Sequence, residues 1–225
     1  MGNHSLFVDS VIKSFKNNYI LSGVCLHFRT NDIVGIFGRN GTGKSTLLKI
    51  IYGIEDAENK FIKIDNEVLK KPYLNKNLIS FLPQDNFLPK QLSVNKVIDL
   101  FIELDVRNKF IDDQIINLFK DKKVSSLSGG ELRYFEIKLI LLSKTKFSFL
   151  DEPFIGLSPV YIEKVKELIQ IASIDKGIVI TDHDYQNVLS IANKLYLMKD
   201  RKTILLRNEQ ELVSFGYLSE NQIYP

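Results

Sequence analysis

"FGRNGTGKST", residues 37–46, sets three glycines, one lysine and a Ser-Thr pair directly behind the apolar run 33–37. It fits G-x-x-x-x-G-K-[ST], with Gly38, Gly43, Lys44 and Ser45 in the fixed places. Backbone without side chains can curl until several N–H groups converge, which makes a nest for phosphate oxygens at the start of the helix that follows. Lys44 then reaches the β- and γ-phosphates as a point charge, and Ser45 offers its hydroxyl to magnesium. A plain glycine turn would only exploit positive φ angles and would bind nothing. The flanks argue against that: "DIVGIF" (32–37) reads as a short buried strand, and "KSTLLKIIYG" (44–53) puts Leu47, Leu48, Ile50 and Ile51 on a helix that stops at Gly53. Strand, loop and helix together are what a phosphate cradle demands. The loop alone does not say which nucleotide it holds.

Outside that loop, bulk properties exclude several classes. A chain of 225 residues with 44% hydrophobic content is ample for a packed core. Its net charge of +3 comes from lysines scattered through "LKKPYLNK" and "FKDKK", a solvated surface rather than the basic stripe of a nucleic-acid binder. The start "MGNHSLFVDS" lacks the basic lead and apolar core of a signal peptide, and no window approaches the ~18 apolar residues of a membrane span. The expectation is a protein with no membrane anchor of its own. The single cysteine, Cys25, cannot form an internal disulfide and is expected to be buried as a small hydrophobe in the strand-like "VCLHF".

The periodicity changes along the chain. "LFVDSVIK", "VCLHF" and "DIVGIF" read as strands, followed after the loop helix by "FIKIDN" and "EVLK", with Asn66 and Glu67 as the hairpin turn, and by "NLISFLPQ". From Ser93 the spacing is helical, with Val94, Val97, Ile98 and Phe101 on one helix and Ile111, Ile115, Leu118 and Phe119 on a second. "KFSFLDEP" and "GIVITD" are buried strands on either side of a helix marked by Ile162, Val165, Leu168 and Ile169, and "KLYLMKD", "KTILLR" and a helix near Glu209 to Phe215 close the chain. Strands alternating with helices around a phosphate loop predict an α/β fold with a mostly parallel central sheet. To it are added an amino-terminal antiparallel β layer and an inserted α-helical subdomain, about residues 86–145. Phe87 and Leu88 fit neither period and are expected on a surface loop.

In "KFSFLDEP" an apolar strand ends in Asp151 and Glu152. Phosphoryl transfer gives both a use: one carboxylate helps hold magnesium, and the next orients and polarises the attacking water. A solvated turn before Pro153 would not need the uninterrupted apolar run. "SLSGGELR" (126–133) is a second glycine-centred loop opening a helix, suited either to an anion or to a plain helix start. It makes sense if it serves a nucleotide bound by another copy. In "TDHD", one histidine between two aspartates lacks the further ligands of a metal cluster.

In these motifs, taken together, the chain resembles the nucleotide-binding subunits of ABC transporters. "GRNGTGKST" is similar to the Walker A loop, "LSGGE" to the family signature and "FSFLDEP" to the Walker B strand. Gln84 in "FLPQD" falls at the Q-loop, His183 in "ITDHD" at the switch histidine, and Phe15 in "VIKSFKNN" where the family places an aromatic under adenine. Order and spacing agree from about Leu6 to Lys199. The resemblance implies one ABC ATPase domain over residues 1–225, with ATP and Mg2+ as cofactors. It implies that Gly38, Asn40, Gly41, Gly43, Lys44, Ser45 and Thr46 bind phosphate, with Ser45, Gln84 and Asp151 around the metal. Glu152 would be the general base and His183 would hold the γ-phosphate. Ser128, Gly129 and Gly130 would close on the ATP of the opposite subunit in a head-to-tail homodimer or heterodimer. Integral membrane permease subunits would be the partners, holding the protein at the cytoplasmic, inner face of the membrane, with no nucleic acid. The rival is a soluble ABC-superfamily ATPase acting on ribosomes or nucleic acid, which usually carries two cassettes or a long coiled-coil arm. Two departures stand out: Ser158 in "GLSP" replaces the usual aspartate, and Tyr134 and Leu139 stand where the family commonly has arginine.

Overall fold

Period-two alternation at the amino terminus builds two long strands with one apolar face each. The computed structural model describes residues 2–16 and 18–223. β1 (Ser5–Phe15) and β2 (Asn18–Arg29) pair antiparallel, burying Leu6, Val8, Val24, Leu26 and Phe28 on the same side. β3 (Ile33–Phe37) runs through the glycine loop into α1 (Lys44–Tyr52). β4 (Asn59–Ile64) and β5 (Glu67–Val68) complete a four-stranded sheet ordered β2-β1-β4-β5. After β6 (Ile79–Leu82) come the helices α2 (Val94–Phe101), α3 (Leu104–Ile111), α4 (Gln114–Asn117) and α5 (Gly129–Leu142). The chain then alternates β7 (Phe147–Asp151), α6 (Pro159–Ser173), β8 (Gly177–Thr181), α7 (Tyr185–Leu189) and β9 (Lys194–Lys199). β10 (Lys202–Leu206), α8 (Gln210–Ser214) and α9 (Glu220–Ile223) follow.

The second sheet has the order β10-β9-β3-β8-β7-β6, parallel except for the β9–β10 pair. β3 is buried at all five positions because both faces are covered. Val34 and Ile36 join a core with α1 and the antiparallel sheet, whereas Ile33 and Phe37 join one with α2, α5 and α6. Each fully buried Leu, Ile or Phe contributes roughly 1.5–3 kcal/mol through lost apolar hydration. The glycine loop at the end of β3 is thus anchored by a strand that packs on two sides.

Four expectations are corrected. Cys25 is exposed, its thiol 2.8 Å from Asp9 Oδ1, because Val24, Leu26 and Phe28 take the inward positions of β2. The helix expected over Ile111 to Phe119 is broken into α3 and α4 by Asp113, whose carboxylate accepts from the amides of Ile115 and Ile116 and caps a new start, leaving Leu118 exposed. The hairpin turn lies at Asp65 and Asn66, with Asp65 at φ 54, and Glu67 already belongs to β5. Leu88 is 6% exposed and part of the core, and Phe87 is half-buried with its ring edge-on to Phe101 at 6.3 Å.

Candidate active site

β3 and β7 flank β8, so the glycine loop and the Asp151–Glu152 pair emerge side by side at the carboxyl ends of parallel strands. Gly43 caps α1 in a left-handed conformation, φ 97, and no side chain caps the helix. A Cβ there would stand 2.8 Å from Ile20 Cγ2, so glycine is required for both backbone shape and space. The uncapped first turn leaves N–H groups and the positive helix end turned to an anion. Lys44 is 7% exposed, and its Nζ donates to Gly38 O at 2.7 Å and Arg39 O at 3.4 Å. Burial lowers its pKa, opposed by the charges of Glu152, Asp151 and Asp182. A cation held this close to two carbonyls is placed to exchange them for phosphate oxygens.

Asp151 is 1% exposed. Its Oδ1 accepts from Ser45 Oγ at 2.9 Å and Thr181 Oγ1 at 2.6 Å, whereas Oδ2 is buried with no hydrogen-bond partner. An orphaned carboxylate oxygen beside a serine hydroxyl fits a hard cation that takes few protein ligands and completes its shell with water and phosphate. Glu152 follows in the left-handed region, φ 53, with its amide on Thr181 O at 2.7 Å. Such a φ is uncommon for a residue with a side chain and persists only where the surrounding structure holds it. Gln84 Nε2 donates to Glu152 Oε2 at 2.9 Å, and His183 Nε2 lies 2.9 Å from Oε1.

These groups surround a cavity of about 340 Å³ lined by Asn40, Gly41, Gly43, Lys44, Ser45, Thr46, Gln84, Glu152 and His183, together with Ile20. Gly38 and Asp151 adjoin it through their bonds to Lys44 and Ser45. Phe15 sits apart at the tip of β1, 46% exposed, with Lys13 Nζ 4.7 Å from its ring centre. Ser128, Gly129 and Gly130 also lie outside the cavity lining: Ser128 caps α5 in a capping box with Glu131, and a Cβ on Gly129 would meet open space. Asp182 is committed to the backbone, accepting from the amides of Phe154 and Asp184, and burial raises its pKa. Ser158 accepts from Tyr161 N and caps α6, with Pro159 in the first turn.

Sequence reasoning missed Ile20, Thr181 and Arg133. Thr181 ends the buried strand next to Asp151 and could have been found from "ITD". Ile20 and Arg133 reach the site only through the tertiary fold.

The sequence profile of the ABC transporter family matches residues 21–155, more than half of the chain. The chain belongs to the ABC transporter family. Among relatives in that family, LptB of Haemophilus influenzae, a lipopolysaccharide export system ATP-binding protein, is 29% identical, covering 93% of this chain and 92% of that protein. A probable ABC transporter ATP-binding protein of Azorhizobium caulinodans is 30% identical over 93% of this chain and 79% of that protein. The ABC cassette fold is equally plain in solved structures. An ATP-binding subunit of an ABC transporter superposes with a TM-score of 0.83 at 19% identity, covering 97% of both chains. A dimeric cassette in a post-hydrolysis state with ADP and Pi gives 0.77 at 22%, covering 90% of this chain and 99% of that one. At these identities the structural likeness speaks to the fold alone. Within the ABC transporter family this chain is an ATP-binding subunit, an ATPase by class.

Proposed function

We propose that residues 1–225 act as one ABC ATPase domain that hydrolyses ATP with Mg2+ in a head-to-tail dimer and so drives separate membrane-spanning permease subunits. The observation that carries this reading is the buried, unpartnered Oδ2 of Asp151 beside Ser45 and within one strand of the phosphate loop. Lys44 and the amides that open α1 bind the phosphates of ATP, with Gly38, Asn40, Gly41, Gly43 and Thr46 shaping the loop. Ser45, Asp151 and Gln84 would hold the metal, which would supply neutralisation of charge on the phosphate oxygens. Glu152 is the general base, its carboxylate oriented by Gln84 and His183, and it takes a proton from the attacking water; His183 serves the γ-phosphate. Ser128, Gly129 and Gly130 stand free of their own cavity and serve the ATP of the opposite subunit. Phe15 supports adenine.

No helix among the described residues is long and apolar enough to cross a membrane. In this reading permease subunits hold the protein at the inner face of the membrane. The half-buried Phe87 and exposed Leu100 and Leu104 lie on the loop after Gln84 and the helices beyond it, an apolar surface for a helix of the permease. The purified protein should hydrolyse ATP with a steep dependence on its own concentration and lose activity in EDTA. Mixing Ser128→Arg subunits with Lys44→Ala subunits should leave at most one composite site per mixed dimer. First-order activity far below the dimerisation range contradicts the shared site, and recovery of ribosomes rather than a multi-span membrane protein in a detergent pull-down contradicts the transport role.

A further inference from the structure

Arg133 and Glu136 lie one turn apart on α5, and Arg133 is 3% and Glu136 0% exposed. Charges that deep are costly to desolvate unless they find partners. The guanidinium spends its donors on backbone: Nη1 donates to Pro83 O, and Nη2 donates to both Asp151 O and Glu152 O, each at 2.8 Å. Glu136 Oε1 accepts from the amides of Phe87 at 2.9 Å and Leu88 at 3.4 Å, and its Oε2 stands 3.6 Å from Arg133 Nη1. The pair therefore brackets Gln84, at Pro83 before it and at Phe87 and Leu88 after it. The same guanidinium grips the two peptide groups that aim the site carboxylates.

Stability alone does not explain this arrangement. Arg133 Nε and Glu136 Oε2 have no hydrogen-bond partner, and a partly satisfied buried pair is a poorer stabiliser than apolar side chains of the same volume. What an apolar pair cannot do is reach three carbonyls on two strand ends at once; the planar fork of arginine can.

We propose that Arg133 and Glu136 are positioning residues that lock the Gln84 loop to the Asp151–Glu152 tip, so that residues 83–88 cannot shift without re-aiming Glu152. The inference rests on Glu152 being the base. Because Gln84 Nε2 also bonds Glu152 Oε2, the loop meets that residue through both side chain and backbone. A partner pulling on residues 83–88 changes the rate of hydrolysis through α5 without touching nucleotide.

Three variants and two readouts test it. Arg133→Lys keeps a cation beside Glu136 but offers a point donor in place of a fork. Its kcat should fall about tenfold or more while KM for ATP stays within roughly threefold, a split that general misfolding does not give. Glu136→Gln retains the Oε1 acceptor and should keep most of kcat, whereas Glu136→Met should behave as Arg133→Lys and speed amide exchange across residues 83–88. Should Arg133→Lys not fold, the Glu136 pair decides. Wild-type kcat in Arg133→Lys, or a Glu136→Met protein indistinguishable from Glu136→Gln, overturns the proposal. Amide exchange reads the brace even in a protein that does not turn over ATP, so failure of the catalytic reading and failure of the brace are separate results.

Discussion

Ser45 Oγ donates to Asp151 Oδ1 at 2.9 Å, joining the phosphate loop to the tip of β7, while the second oxygen of the same carboxylate is buried without a partner. Mg2+ should therefore tighten ATP binding to the wild-type protein by about tenfold or more, ~1.4 kcal/mol. The increment should vanish in Asp151→Asn, where an amide replaces the anionic oxygen. Calorimetric titration with ATP in Mg2+ and in EDTA measures both; an undiminished Mg2+ increment in the variant removes Asp151 from the metal site.

Lys176 sets a pH dependence far from the nucleotide. Its Nζ is buried among Ser143 O, Ser143 Oγ and Thr145 Oγ1; burial brings its pKa down to about 7, opposed by the charge of Asp175. The unfolded chain, with lysine near its usual ~10.4, binds the extra proton between those values, so stability rises with pH from about 7 toward 10. Below about 7 the cost of the buried charge is complete and this slope ends. Lys176→Met should flatten the rise in chemical-denaturation midpoints over that window; an unchanged slope means Lys176 is not its source.

Leu88→Ala should cost ~2–5 kcal/mol of stability, since the side chain is 6% exposed within the helical core. Phe87→Ala, half-buried on Phe101, should leave the ATPase activity of the isolated protein near wild type and weaken recovery of the membrane partner by ~1–3 kcal/mol. A Leu88→Ala protein as stable as wild type would return that residue to the surface.

Asp113 accepts from Tyr134 Oη at 2.6 Å, from Lys138 Nζ and from the first amides of α4, and so pins α4 to α5. Tyr134, which stands where the family commonly has arginine, thus has a tethering role. Asp113→Ala leaves Lys138, 3% exposed, without its counter-charge and should cost ~3–5 kcal/mol; Tyr134→Phe should cost ~1.5–3 kcal/mol. Equal small losses in urea titrations of both variants would show that the contact carries little energy.

The strand–glycine loop–helix unit, the buried strand ending at Asp151 and the alternation of strands and helices were legible because each is written in local spacing: glycines at fixed offsets, an unbroken apolar run, a change of period. Leu88 was not, because its side chain joins a core drawn from elements distant in sequence, and a loop has no period to reveal an inward position. Cys25 should have been read from its neighbours, since Val24, Leu26 and Phe28 already claim the inner face. The break at Asp113 was written as an Asx cap inside an apolar pattern that could pass for continuous helix. Arg133 was legible only as a charge on a helix; the three carbonyls that bury it come from residues 83, 151 and 152.

In the proposed mechanism Glu152, with both carboxylate oxygens held by Gln84 and His183, is the base that activates water. Glu152→Gln keeps the shape and the Gln84 contact but cannot accept a proton. The decisive measurement is single-turnover hydrolysis by this variant, taken alongside ATP affinity and dimer mass. The expected result is ATP affinity within about threefold of wild type, hydrolysis slowed ~10²-fold or more and a dimer that accumulates with ATP. Hydrolysis at the wild-type rate, with ATP bound as tightly, contradicts it.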